Sequence, residues 1–185
     1  MNIKVKRLLA YLIDSLIIFM ILFLLNLMFK NNNELININE MYFDGQISFN
    51  EYFEQYKMII HAIDKSDIII NIVNIILIII MFVVIPYFNN HQTIGQKIMK
   101  IKFFKENNIK LEDLINRAVI INGLGYMLFM VIILYLTGDN LYFILINLFG
   151  FFQILVAIIS AFMVLYRKDG LAIQDLLTNT KVKEI

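Results

Sequence analysis

Four stretches of this chain are each long and apolar enough to cross a lipid bilayer, and nothing else in the sequence limits its fold as much. A membrane helix needs about 20 consecutive, mostly apolar residues, because each adds about 1.5 Å across a hydrocarbon core of about 30 Å. The runs are 8–29, 68–88, 118–136 and 141–166. The first holds one charge, Asp14, and the others hold none. Any one run is compatible with the core helix of a soluble protein, but four in one short chain are not. Charged residues make up only 17% of the chain, against about 25% on average, which again argues against a soluble domain. The predicted class is an all-α integral membrane protein, a four-transmembrane-helix bundle forming one domain over residues 1–185.

The first run follows Lys4, Lys6 and Arg7, so it resembles the start of a signal peptide. It is longer than the usual apolar region of about 7–15 residues, and no A-x-A-like site follows it. It is read as a retained helix. Lysine and arginine counts set the direction of the spans. The first, third and fifth hydrophilic segments (the start, 89–117 and 167–185) carry three, six and four; the second and fourth (30–67 and 137–140) carry three and none. Both termini are therefore expected on the cytoplasmic side and 30–67 outside. Tyr135 and Tyr142 suit the outer interface, and Tyr11, Tyr87 and Tyr166 the inner one. The chain has no cysteine, which excludes disulfides and thiolate metal sites. A net charge of +1 gives no footprint for nucleic acid. The lipid bilayer is the one partner that composition demands.

Between the first two spans, Ser48 and Glu51 fit a capping box. Phe49, Tyr52, Phe53, Tyr56, Ile59, Ile60 and Ile63 follow at helical spacing, with Glu51, Glu54, Gln55 and Lys57 on the other side. This predicts an external amphipathic helix, lying in the outer interface or acting as a lid or partner-binding element. In segment 89–117, the partly alternating stretch Ile98–Phe104 precedes a turn signal at 105–108 and then Ile109–Leu111. That pattern predicts a short basic β-hairpin on anionic lipid. Together with the tail it would form a small cytoplasmic cap. Spans three and four, joined by Thr137–Asn140, must form an antiparallel hairpin. No internal repeat of the kind common in transporters is visible.

Asp14 is the strongest single signal. A carboxylate at mid-membrane costs about 2.5–3.5 kcal/mol on insertion scales, so it is normally paired or faces an aqueous cavity. Arg7 lies two turns earlier on the same face, too far for an unstrained direct pair. Asp14 thus reads as a structural clamp completed by a third group or water, as a proton or cation site, or as an acid hydrated at the interface. Asn122 and Ser160 fall at about its depth. Asn26, Asn74 and Asn147 fall in a second, outer layer, and Gln153 lies between the two. Polar side chains at these depths read either as glue between helices or as an ion path. Gly150, Ala157 and Ala161 give the fourth span a seam for close packing.

The segment Arg7-Leu-Leu-Ala-Tyr-Leu-Ile-Asp14 resembles the R-x-x-A-x-x-x-D opening of the RDD family of bacterial membrane proteins. Gln92-Thr-Ile-Gly-Gln-Lys97 resembles that family's Q-T-x-G-K-x element, Arg117 sits where it carries an arginine, and Asp175–Val182 resembles its closing D-L-L-A-G-T-x-V. His91, Gln96, Gln174 and Asn179 depart from the family's usual glycine, lysine, histidine and glycine. The resemblance implies a multi-pass protein of the bacterial cytoplasmic membrane, with Arg7, Asp14 and Asp175 as the name-giving residues. Transport is the activity suspected for the family, and sodium/proton exchange is linked to some members.

Two functions follow as expectations. One is transport of a cation or small solute with Asp14 as the exchangeable site and Arg7, Arg117 and Asp175 beside it; four spans would then call for a homo-oligomer. The other is a non-catalytic accessory or immunity-type protein that binds a membrane or secreted partner through 30–67. No enzyme, cofactor or metal is expected. His61 and His91 fall on opposite sides of the membrane, Gly95-Gln96-Lys97 lacks the rest of a phosphate loop, and no Ser-His-Asp set can be placed on one side.

Overall fold

Helix α1 (Ile3–Phe29) begins five residues before the apolar run. The reason lies in its first turn. Lys4 Nζ donates to the carbonyls of Leu165 (3.1 Å) and Arg167 (2.6 Å), at and just beyond the end of a later helix, and Lys6 pairs with Glu184 at 2.8 Å. A helix C-terminus carries partial negative charge and unpaired carbonyls, so a lysine there extends α1 by satisfying both. The computed structural model describes residues 2–29 and 33–185.

Helices α2 (Asn33–Phe43) and α3 (Phe49–Ser66) form a cap. The capping box forms as expected: Ser48 N–H donates to Glu51 Oε2 at 2.8 Å and Glu51 N–H to Ser48 Oγ at 3.4 Å. Helix α2 has no counterpart in the sequence reading. It is held by Tyr52 Oη donating to Asn39 at 2.9 Å and by the Tyr42–Tyr52 ring contact. The second span runs through α4 (Ile68–Ile79), a π-helical turn (Ile80–Val84) and α5 (Ile85–Phe88). Pro86 explains the turn. It has no N–H for the Phe82 carbonyl, and the ladder slips so that Ile85 N–H reaches Ile80.

Then come α6 (Ile94–Ile98), β1 (Ile101–Phe104), α7 (Leu111–Ile121), α8 (Leu124–Leu136), α9 (Asp139–Tyr166), α10 (Ile173–Thr178) and β2 (Lys181–Glu184). Three helical segments are long and apolar enough to cross a membrane: Ile3–Leu25, Ile68–Phe88 and Asp139–Tyr166. The expected third span, 118–136, carries a break. Helices α7 and α8 meet at 73° and together make up a fourth crossing only if the bent pair counts as one. The break sits at Asn122–Gly123, where Gly123 takes φ +78°, a left-handed conformation that glycine adopts without penalty. Helix α8 alone, at about 1.5 Å per residue, is about 20 Å long and falls short of the hydrocarbon core.

The expected β-hairpin between Ile98–Phe104 and Ile109–Leu111 does not form. Strand β1 pairs with β2 of the tail, antiparallel, with Ile101 opposite Glu184 and Phe104 opposite Lys181. Residues 105–110 are drawn elsewhere: Lys105 Nζ pairs with Asp113 at 2.6 Å, and Lys110 N–H caps onto the same carboxylate at 2.9 Å. Asp113 is buried.

Ile75, Ile78, Met81, Phe82, Leu114, Ala118 and Leu124 form the main core where α4 and the π turn meet α7 and α8. Large apolar side chains such as Leu16, Phe19, Phe151 and Ile154 point outward on α1 and α9. In water that would be an aggregation hazard; it is the surface a helix presents to lipid.

Candidate functional site

The site lies at the end of the bundle that holds both termini. It is built on two carboxylates, each 3% exposed or less. Asp175 is the third residue of α10, and its Oδ2 accepts the Ala172 N–H at 2.9 Å, which starts that short helix. The same oxygen takes Arg7 Nη2, while Oδ1 takes Arg117 Nη1 at 2.6 Å. Arg7 Nη1 donates to the Gly170 carbonyl, and Arg117 Nη1 also to Thr180 Oγ1. The Arg117 guanidinium lies over the Phe103 ring, 4.2 Å from its centroid. One carboxylate thus joins α1, α7 and the tail. Burial alone would push the Asp175 carboxyl up, but the two guanidiniums and the Ala172 N–H outweigh it and hold it below the usual carboxylate range. Asn179, where the family pattern has glycine, ends α10 in the left-handed region at φ +51°, a conformation asparagine tolerates well.

Asp14 has different partners. Its Oδ1 accepts the Gly95 N–H at 2.7 Å and its Oδ2 the Thr93 hydroxyl at 2.5 Å. Thr93 caps α6 and forms a capping box with Gln96. Gln92 Nε2 ties the start of that segment to the Ile101 carbonyl at 2.8 Å. The motif 92–97 is therefore a clasp pressed flat on α1. Gly95 allows the approach: a Cβ there would lie 2.2 Å from the Ala10 carbonyl oxygen. No ion pair to Asp14 occurs among the described residues, so the stretched Arg7–Asp14 clamp is replaced by neutral donors.

Asp14 and the two arginines that hold Asp175 face one cavity of ≈ 100 Å³, lined by Arg7, Asp14, Arg117, Asn122, Ser160 and Gln174 among others. Ser160 Oγ and Gln174 Oε1 are buried and have no hydrogen-bond partner among the described residues. Gln153 lies apart, its Nε2 donating at 3.2 Å to the Ile120 carbonyl freed by the α7–α8 break. The outer polar layer does not assemble. Asn74 is buried in α4, whereas Asn147 is on the outside of α9 and bonds back to the Phe143 carbonyl at 2.8 Å. The side chain of Asn26 lies outside the described residues. Thr93, Gly95, Thr180 and Gln174 lie within the sequence motifs but carry no charge that would have marked them as partners.

Apolar spans with lipid-facing surfaces, broken only by a buried polar cavity, define a multi-pass membrane protein. The model of the RDD family matches residues 4–179, nearly the whole chain, and the chain belongs to the RDD family. Comparison with curated proteins and with solved structures gave no match.

Proposed function

We propose that this RDD-family protein is a non-catalytic protein of a bacterial cytoplasmic membrane, with both termini inside and 30–67 outside, that moves a cation or small solute through Asp14. One observation carries the reading. Asp14 is a buried carboxylate with only neutral donors as partners, and it opens on a cavity whose Ser160 hydroxyl is unpartnered. A buried carboxylate that no cation touches is costly to keep charged, and a proton or cation arriving at the cavity neutralises it; Arg7 and Arg117, which line the same cavity, are engaged with Asp175. Asp175, bound by two arginines, is the clamp that holds the tail under α1 and α7. Exchange of a proton for a cation at one carboxylate needs no second titrating group.

The test is cation-dependent proton movement in proteoliposomes, followed with an internal pH dye. Wild-type protein should move protons when a cation gradient is imposed, and Asp14→Asn should not. Proton movement unchanged in Asp14→Asn overturns the reading. A second reading, an accessory protein binding a membrane or secreted partner through α2 and α3, draws support from Phe43 and Phe49, which are 83% and 61% exposed on that cap. It predicts no flux in the wild type either.

A further inference from the structure

His61 sits on α3, at the end of the molecule opposite the termini, and is 2% exposed. Its Nδ1 lies 2.5 Å from Asp139 Oδ1, and its Nε2 lies 2.8 Å from the Leu134 carbonyl. The ring stacks on Tyr142 at 4.5 Å, and Tyr142 Oη donates to Asp64 Oδ2 at 2.8 Å. Leu134 belongs to the last turn of α8, where carbonyls have no intrahelical partner. Asp139 opens α9. His61 therefore spans the turn between two helices from a third.

Both ring nitrogens face acceptors. A neutral imidazole offers one N–H and one lone pair. With the proton on Nε2, a lone pair would meet the Asp139 carboxylate; with the proton on Nδ1, a lone pair would meet the Leu134 carbonyl. Only the imidazolium donates to both. Its surroundings suit a cation: the Asp139 carboxylate and Tyr142 from α9, the partly negative end of α8, and Asp64 from its own helix. Tyr126 of α8 interacts with Asp64 and Tyr142 in turn. Asp67 stands at the junction with α4. Lys57 and Lys65 lie one turn away on either side along α3, and Lys57 is paired with Glu54 at 2.7 Å. Asp139 is 46% exposed, which gives the proton a route to solvent.

We propose that His61 is a proton-operated latch: protonated, it fastens α3 to the α8–α9 turn, and deprotonated it lets α3 go. Two of the hydrogen bonds that tie α3 to α8 and α9 are on this one ring, and the neutral form keeps at most one. Other ties among the described residues include the Tyr142–Asp64 bond, Ile60 packed on the Met130, Ile133, Leu134 and Tyr142 cluster, and aromatic edges, Phe53 and Tyr56 against Phe143. In the orientation proposed above, the latch responds to the pH outside the cell. It stands apart from the cavity at Asp14 and does not depend on transport there.

The chain has two histidines, so His91→Gln leaves His61 as the sole imidazole. The full-length variant, labelled with 15N-histidine in lipid nanodiscs, should show both ring nitrogens protonated while α3 is docked. As the pH is raised, that signal should vanish and the hydrogen-exchange protection of amides 49–66 should fall with it, after correction for intrinsic exchange. Protection should fall about 10- to 100-fold, the weight of one charge-assisted hydrogen bond. His61→Gln should remove the step. A single neutral tautomer in the docked state overturns the proposal. So does protection of α3 that persists unchanged while His61 loses its proton.

Discussion

Replacing Gly95 by alanine tests whether the 92–97 clasp holds Asp14. The new Cβ would sit 2.2 Å from the Ala10 carbonyl oxygen and 3.0 Å from Asp14 Cγ. A relaxed carbon–oxygen contact needs at least 1 Å more, so α6 must lift off α1 by about that much. The Gly95 N–H bond to Asp14, 2.7 Å, and the Thr93 bond, 2.5 Å, then stretch past useful length. Overpacking costs about 1–3 kcal/mol, and a hydrogen bond to a charged group is worth about 1.5–3 kcal/mol. Partial relaxation keeps the sum below the simple total, at about 3 kcal/mol. For a chain of this size that corresponds to roughly 6–12 °C in melting temperature. The assay is circular dichroism at 222 nm during heating in detergent. Gly138→Ala is the control, because a Cβ there meets nothing within 4 Å and φ is −84°; it should change stability by less than about 0.5 kcal/mol. A Gly95→Ala protein that melts within a degree of wild type would refute the close-approach argument.

Other outcomes follow from the same geometry. Asp175→Asn leaves two buried guanidiniums without their carboxylate and should cost about 3–5 kcal/mol, seen as a lower melting temperature and faster protease cleavage between Tyr166 and Leu171. Because the folded-state carboxyl of Asp175 titrates below its ordinary value, its contribution is fully present above about pH 4 and is lost as the pH falls through that lower value. The tail should therefore stay docked at pH 4 and become protease-sensitive only in stronger acid, and release on going from pH 6 to pH 5 would contradict this. Cysteine labelling reads the proposed orientation: Asn33→Cys should react with an impermeant reagent on intact cells and Asn108→Cys should not.

Much of the architecture is legible in the sequence because hydropathy is a local property. Runs such as 68–88 and 141–166 contain all the information that makes them spans. The capping box at Ser48–Glu51 is equally local. What the sequence hides is non-local or uncharged. Gly123 looks ordinary in an apolar run, since glycine is common in membrane helices, and only the packing of Leu124 and Ala118 into the same core shows why the chain turns there. Strand β1 has its partner about eighty residues away, whereas the sequence offers the nearer Ile109–Leu111, and Asp113 holds Lys105 and Lys110 away from that pairing. The motifs group Arg7, Asp14, Arg117 and Asp175 as one set of charges, because opposite charges seek each other out of water, and the two arginines form ion pairs only with Asp175 among the described residues. The partners of Asp14, a hydroxyl and a backbone N–H, carry no such mark.

The two buried carboxylates are assigned different work, and one paired measurement addresses that division. Asp14→Asn and Asp175→Asn would be compared with wild type for melting temperature and for cation-dependent proton movement in the same proteoliposome preparation. Asparagine at 14 can still accept the Gly95 N–H and donate to Thr93 Oγ1, so this variant should melt within a few degrees of wild type yet move no protons. Asparagine at 175 should lose melting temperature first, with flux surviving at temperatures where the protein stays folded. The reverse pattern, or an Asp14→Asn protein unchanged in both, would contradict the account.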